Sequence, residues 1–145
     1  RNNQSKLTGS VFVEFSPSEN LLFKTQAGLD YTDGYFRHVD YTWQEGGGKQ
    51  YTQNGVNNNY FQSLDMTLTN TLNYNATFRE YHDIDLVGGI EFYRHNSQNF
   101  NAYRQDIELE NRDYAFLNTA TGNLTANGSG DELAMISYFS KINYH

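Results

Sequence analysis

The residues that could act as acids, bases or metal ligands are few and scattered along the sequence. The chain has four histidines and no cysteine, and the histidines lack the spacing of a zinc site. Asp83 and Asp85 share one face of a predicted strand, where a polar wall explains them better than paired acid–base chemistry. The sequence therefore predicts no catalytic residue, no metal site and no cofactor, and a protein that is not an enzyme.

Two polar, glycine-containing segments resemble ligand-binding loops only in composition. Gly46, Gly47 and Gly48 are followed neither by a predicted helix nor by the Gly-Lys-Ser/Thr of a phosphate-binding loop. Residues 127–132 are rich in oxygen-bearing side chains but lack the alternating acidic spacing of a calcium-binding loop. We interpret the first segment as a flexible loop and the second as a turn.

The side chains best suited to recognition follow the second predicted strand. Aromatic rings stack on sugars or on apolar groups, and arginine, histidine and tyrosine add hydrogen bonds. The candidate ligand-binding residues are Tyr35, Arg37, His38, Tyr41, Trp43 and Tyr51. The alternative is a loop that folds on itself or docks on a partner.

Composition limits the class of protein. Only 37% of the 145 residues are hydrophobic, yet 16% are aromatic, a fraction too high for a typical disordered chain. The mean hydropathy is -0.76, as expected for strands that alternate apolar and polar residues. No apolar run reaches the ~18 residues of a transmembrane helix. The net charge of -7 disfavours nucleic acid as a partner.

The clearest element is a long strand in residues 61–78. Seven of its eight even positions from Leu64 to Phe78 are apolar or aromatic, and none of the odd positions from Asp65 to Thr77 is apolar. An alternation of period two is typical of a β-strand with one apolar face. Strands of soluble domains rarely exceed ten residues, whereas a strand that crosses a membrane needs ~9–11 residues in the hydrocarbon alone.

Similar alternation predicts five strands, near residues 7–15, 21–32, 61–78, 84–95 and 135–145. Short turns at 16–20 and 79–83 alternate with long loops at 33–60 and 96–134. Outer-membrane barrels have short periplasmic turns and long extracellular loops. The sequence therefore predicts an all-β fold. All of residues 1–145 would form one segment of an antiparallel transmembrane β-barrel domain.

Two parts of the sequence resemble a known family. The segment Thr69–Phe78, a turn containing His82 and the segment Ile84–Glu91 together resemble a hairpin of the SusC/RagA family, the TonB-dependent outer-membrane transporters of Bacteroidetes. The segment Ile136–Tyr144 resembles a strand of that family, with Lys141 where the family pattern has arginine. The resemblance implies a barrel of about 22 strands around a plug. We expect the plug domain to be absent from this chain.

The same resemblance implies a function and a set of partners. The chain would be part of a receptor in the bacterial outer membrane that imports glycans, peptides or similar nutrients. Its partners would be outer-membrane lipid, a SusD-like surface lipoprotein over the extracellular loops, and TonB through the missing plug region.

Two other classes of protein remain as alternatives. A soluble β-sandwich that binds carbohydrate would have shorter strands and two apolar faces that meet inside. An outer-membrane enzyme or adhesin barrel would need a catalytic constellation, and the sequence contains none.

Overall fold

The computed structural model describes residues 2–79 and 82–144. Within these residues the secondary structure consists of strands and turns, and no helix is long and apolar enough to cross a membrane. The strands are β1 (Asn2–Ser18), β2 (Leu21–Asp40), β3 (Trp43–Gln44), β4 (Gln50–Tyr51), β5 (Gly55–Phe78), β6 (His82–Gln105) and β7 (Leu124–Tyr144).

The five long strands form one antiparallel sheet in the order β1-β2-β5-β6-β7. The two short strands β3 and β4 pair separately as an antiparallel hairpin, with Trp43 opposite Tyr51 and Gln44 opposite Gln50. The predicted all-β class and the predicted number of long strands are therefore confirmed. The fold is that of a barrel segment.

The strands extend well beyond their predicted bounds. Residues 33–40 belong to β2 and residues 55–60 to β5, although both ranges were predicted to lie in a loop. Likewise, β6 continues to Gln105 and β7 begins at Leu124. The predicted bounds were wrong because one-sided apolar alternation ends earlier than strand pairing does, and backbone pairing does not require that alternation.

Residues 127–132, which we interpreted as a turn, lie inside β7. Their glycines face the backbone of β6: a Cβ atom on Gly130 would lie 3.0 Å from the carbonyl oxygen of Ser97, and one on Gly128 would lie 3.2 Å from that of Asn99. Glycine in a strand often marks a close approach of this kind. The loop-like composition therefore reflects tight strand packing.

Both predicted short turns are shorter than expected. Pro17 lies in the last residues of the edge strand β1, where a missing N–H group is tolerated, and only Glu19 and Asn20 separate β1 from β2. His82 and Asp83 begin β6 and are not turn residues. Residues 80 and 81 of the second predicted turn lie outside the described residues.

The chain divides into two compact units, and most strands contribute to both. The first unit contains residues 32–63 and 97–131 with the start of β1 up to Lys6. The second contains residues 7–31 and 64–96 and the chain from Glu132 onward, as far as these residues are described.

The second unit is a single layer with one exposed apolar face. Its described residues include one buried hydrophobic side chain, that of Ala76. Large apolar side chains are instead solvent-exposed on every strand of this unit. Those at the positions predicted to be apolar by the alternation include Leu7, Val11, Leu29, Met66, Leu68, Leu72, Leu86, Phe92, Ile136 and Ile142. We call this set the apolar face. No second sheet covers it within the described residues, so the structure does not meet the expectation of a β-sandwich.

The first unit has a small hydrophobic core of its own. Val39 of β2 and Val56 of β5 pack with Ile107, Ala115 and Ala120, and Val56 and Ala115 are fully buried. The last three residues belong to the connection between β6 and β7. Burial of this cluster stabilises a compact arrangement of strand ends and connection.

A glycine on β2 makes room for an aromatic ring in this unit. A Cβ atom on Gly34 would collide with the ring of Phe61 on β5. That ring is stacked on Phe36, with ring centroids 5.8 Å apart and planes 10° from parallel. Because the stacking restrains Phe61, the ring cannot easily move away from an added methyl group.

We expect Gly34→Ala to destabilise the protein by ~1–3 kcal/mol, the usual cost of overpacking. Gly46→Ala is the matched control, because no atom lies within 4 Å of a Cβ atom built there, and it should change the stability by less than ~0.5 kcal/mol. The measurement is the free energy of unfolding in urea. Equal stability of both variants would contradict the assigned contact.

Candidate binding surfaces

The connection between β6 and β7, residues 106–123, is a folded segment that we call the strap. It begins at Asp106, whose positive φ of 59° turns the chain sharply after β6; aspartate tolerates this left-handed conformation better than most residues. An isolated antiparallel bridge pairs Ile107 with Ala120, and Thr121 N donates to the Asp106 carbonyl oxygen at 2.9 Å. The strap thus closes on itself.

One carboxylate ties the strap to the segment that carries the β3–β4 hairpin. Glu110 Oε1 accepts hydrogen bonds from Thr42 Oγ1 at 2.7 Å and from Asn54 Nδ2 at 2.8 Å. The Thr42 backbone N–H also donates to this carboxylate, with the nitrogen 3.2 Å from each oxygen. Thr42 and Asn54 lie on either side of the hairpin, so Glu110 clamps both of its ends.

The side chain of Asn54 reinforces this clamp, because its carboxamide forms with the Ile107 backbone the pair of hydrogen bonds that a residue on a neighbouring strand would form. Its Oδ1 accepts from the Ile107 N–H at 2.7 Å, and its Nδ2 donates to the Ile107 carbonyl oxygen at 3.0 Å. The Asn54 carbonyl oxygen accepts from the Asp106 N–H at 3.2 Å. Backbone N–H and C=O groups in two irregular segments are therefore hydrogen-bonded although no regular strand pairs with them.

Two arginines bind the strap through its backbone. Arg37 Nη2 donates to the Arg112 carbonyl oxygen at 3.0 Å, and the Arg37 guanidinium carbon lies 4.6 Å from the centre of the Phe116 ring. Arg104 Nε donates to the Gly122 carbonyl oxygen at 3.0 Å, and its Nη1 donates to that of Leu117 at 3.1 Å. Planar guanidinium groups suit such forked contacts.

The six candidate ligand-binding residues lie in three places: on β2, directly after β2, and on the β3–β4 hairpin. Tyr35, Arg37 and His38 lie on β2, where Arg37 holds the strap and His38 Nε2 lies 3.2 Å from Asp40 Oδ1. Tyr41 is exposed just after β2. Trp43 and Tyr51 are both exposed and face each other across the hairpin. The structure therefore brings together Trp43 and Tyr51, and their role in ligand binding stays a prediction.

A row of carboxamides crosses from β5 to β6 in the first unit. Asn101 Nδ2 donates to Asn57 Oδ1 at 2.7 Å and also to Asn59 Oδ1. Next to it on β6, Asn99 Nδ2 donates to Ser129 Oγ on β7 at 2.9 Å. We call these four asparagines the amide row. Asn57, Asn59 and Asn101 are half-buried, and the row offers hydrogen bonds without charge.

The opposite side of the second unit from the apolar face carries a polar network. Asp65 Oδ1 accepts from the Tyr93 hydroxyl group and lies 2.7 Å from His95 Nδ1. Thr69 Oγ1 donates to Glu91 Oε2 at 2.9 Å. Further cross-strand pairs join Thr8 to Asp30 and Lys24 to Glu14. We call this side the polar face. It is an extended hydrogen-bonding wall, and no group of three or more metal-ligating side chains forms within the described parts of the chain.

No sequence pattern led us to predict the clamp or the amide row. Glu110 and Asn54 stand 56 residues apart, and no local motif links them. The amide row had a weak signal, because Asn57 and Asn59, like Asn99 and Asn101, stand two apart in sequence. That spacing places each pair on one face of a strand, but it lay in segments that we predicted to be loops.

Comparison with known proteins gives matches among solved structures alone. No family model and no curated protein matches the chain. Chains in structures of the RagAB peptide importer in the "closed-closed" state and of the RagAB peptide transporter each have a TM-score of 0.83, at 19% and 21% identity. A chain in the "open-open" importer has a TM-score of 0.79 at 21% identity. Each match covers 99% of this chain and 16% of the other chain, so the similarity establishes the fold.

The clamp should respond to acid. Hydrogen bonds from the side chains of Thr42 and Asn54 hold the pKa of Glu110 below its usual value of 4.5. Since the folded-state pKa lies below the unfolded one, the stabilisation is present at neutral pH and is lost as the pH falls through the folded-state pKa. We expect the protection of the Thr42 amide against hydrogen exchange to fall in that acidic range.

Glu110→Gln should lower this protection at neutral pH and remove its response to acid, because a neutral amide accepts weaker hydrogen bonds. Glu108→Gln, a change at an exposed acid of the same strap, is the control and should behave as the wild type does. Wild-type protection in the Glu110→Gln variant would show that the carboxylate does not hold the clamp.

Proposed function

We propose that this chain forms part of the barrel wall of a TonB-dependent outer-membrane receptor that imports peptides, glycans or similar nutrients. The observation that carries the proposal is the single-layered second unit, which has an exposed apolar face on one side and a polar network on the other. In this interpretation the apolar face meets lipid and the polar face lines the interior of the barrel.

The apolar face supports contact with a membrane. Soluble monomers rarely expose large contiguous apolar patches, yet Val11 is 71% exposed and Tyr138 is 78% exposed. Lipid removes such side chains from water, and it tolerates strands where their backbone groups are hydrogen-bonded within a closed sheet. Both edge strands, β1 and β7, have a strand neighbour on one side only within the described residues, as expected for part of a larger barrel.

Strand length supports the same proposal. The apolar alternation of β5 runs from Leu64 to Phe78, which exceeds the ~9–11 residues needed to cross hydrocarbon. The remainder of β5, from Gly55 to Ser63, has the more polar composition expected of a strand that continues into water. The strap and the hairpin would then lie on the extracellular side.

The similarity to RagAB chains supports a role in nutrient import. Together with the resemblance to the SusC/RagA family, it suggests an origin in Bacteroidetes, a SusD-like lipoprotein as the surface partner, and TonB acting through a plug. Substrate would bind outside, the lipoprotein would close over it, and TonB would displace the plug. These strands would provide wall and loops, and no residue of the chain would perform covalent chemistry.

A pair of arginine substitutions on adjacent residues tests the proposal. Leu68 is 40% exposed on the apolar face, so Leu68→Arg would place a charge in lipid at a cost of ~2–4 kcal/mol. Thr69 lies on the polar face and donates to Glu91, so an arginine there would meet water and a carboxylate. We expect Leu68→Arg to lower the amount of assembled protein in the outer membrane and Thr69→Arg to leave it unchanged.

The measurement is the amount of heat-modifiable, folded protein in isolated outer membranes, with total protein as the control for expression. Equal tolerance of both substitutions, or a wild-type protein found in the soluble fraction, would contradict the proposed placement in the membrane.

A further inference from the structure

Asn54, whose side chain completes the clamp, is followed in sequence by a glycine. Asn54–Gly55 is one of two asparagine–glycine pairs in the chain, and the other is Asn127–Gly128. An asparagine before a glycine is especially prone to deamidation, because glycine has no side chain to shield its backbone nitrogen. The clamp therefore contains a residue that can change covalently without an enzyme.

Packing explains why the protein has this reactive pair in the clamp. A Cβ atom on Gly55 would lie 2.5 Å from the Tyr103 hydroxyl oxygen and 2.7 Å from two carbon atoms of the same ring. Gly55 is buried, so a larger residue there would displace Tyr103. Asn54 in turn supplies both a donor and an acceptor to the Ile107 backbone, which an ionised aspartate cannot do. Each member of the pair is thus required by a contact of its own.

Deamidation of Asn54 would consume only water. The backbone nitrogen of Gly55 loses its proton and attacks Cγ of Asn54, and a cyclic imide forms as the bond from Cγ to Nδ2 breaks and ammonia leaves. Water then opens the ring at one of its two carbonyl carbons. The product is an aspartate or an isoaspartate, and in both cases a neutral carboxamide has become a carboxylate.

The closed clamp holds the carboxamide away from this reaction. Its Oδ1 accepts from the Ile107 N–H at 2.7 Å, and its Nδ2 donates to the Ile107 carbonyl oxygen at 3.0 Å and to Glu110 Oε1 at 2.8 Å. Rotation of the carboxamide towards the Gly55 nitrogen breaks these hydrogen bonds. The reaction therefore proceeds from the open clamp, at a rate that follows the open fraction.

The product no longer fits the closed clamp. A carboxylate oxygen replaces Nδ2 and faces two acceptors, the Ile107 carbonyl oxygen and the Glu110 carboxylate. Neighbouring carboxylates repel each other, and acceptors that lose their donor on leaving water are costly. The modified side chain therefore keeps the clamp open.

We propose that Asn54 is a deamidation site gated by the clamp. The closed clamp protects Asn54, opening lets it react, and the product leaves the β3–β4 hairpin released from the strap. The change runs in one direction, because nothing in the reaction restores the amide. It concerns a property that the proposed import function does not include, and it requires neither a membrane nor a ligand.

The first test measures the conversion of Asn54 in the protein purified in detergent from outer membranes. The protein is incubated in mildly alkaline buffer made with heavy-oxygen water, and mass spectrometry of its digest identifies the peptides that have gained an oxygen atom from the solvent. We expect Glu110→Ala to speed conversion of Asn54 by about tenfold, since losing a hydrogen bond to a charged group raises the open fraction by about that factor. Glu108→Ala, at an exposed acid of the same strap, should leave the rate unchanged.

The second asparagine–glycine pair is an internal control in every sample. Asn127 is exposed on β7 and lies outside the clamp. Its conversion rate should be the same in the wild type and in both variants. An equal acceleration at Asn54 and Asn127 would mean that the whole fold has loosened, and it would overturn the proposed gating by the clamp.

The second test starts from the product. Asn54→Asp should speed hydrogen exchange of the Thr42 amide, which donates to Glu110, by about tenfold or more. Adding Glu110→Gln should restore much of the protection, because a glutamine at this position can donate to the new carboxylate. Simple disruption of the clamp would not be reversed in this way. Asn127→Asp is the matched control and should keep wild-type protection.

Three further results would overturn the inference. Equal conversion of Asn54 in the wild type and in Glu110→Ala would show that the clamp does not gate the reaction. Wild-type protection of the Thr42 amide in Asn54→Asp would show that the product does not open the clamp. Failure of Glu110→Gln to restore protection would show that repulsion between the two carboxylates is not what holds the clamp open.

Discussion

A β-strand presents alternate side chains to opposite sides, and the second unit must therefore accommodate two incompatible surfaces within a single layer. Leu68 lies in the open on one side, while its neighbour Thr69 is hydrogen-bonded to Glu91 on the other. No core shields the apolar side within the described residues. The sheet is stable only where a medium other than water covers that side, so the proposed contact with lipid is the condition on which the rest of the structure depends.

The first unit solves the same problem by another means. Val39 and Val56 are apolar side chains of long strands, but here the strap covers them with Ile107, Ala115 and Ala120. The side chains of Arg37, Arg104 and Asn54 donate hydrogen bonds to carbonyl oxygens of the strap and hold it without regular strand pairing. This unit thus contains a conventional small core, and the strap is an integral part of the fold.

The alternation of residues 64–78 was sufficient to predict the strand type, the apolar face and the long strands. It could not predict where strands end, because residues 33–40 and 127–132 continue as strand without a one-sided apolar pattern. Pairing with a neighbouring strand decides those bounds, and it depends on residues far away in sequence. The contact between Glu110 and Asn54 and the contact between Asn101 and Asn57 could not be predicted either, because each joins residues that are far apart in sequence.

The most direct test of the proposed membrane-spanning wall determines which medium each side of β5 contacts. Because the chain has no cysteine, a single cysteine can be placed in turn at each position from Leu64 to Asn75 and labelled with an environment-sensitive fluorophore in outer membranes. If β5 spans the membrane, quenching should alternate with a period of two residues. A lipid-borne quencher should act on the even positions and a water-soluble quencher on the odd positions. Quenching by the water-soluble reagent at both sets of positions would contradict the membrane-spanning wall.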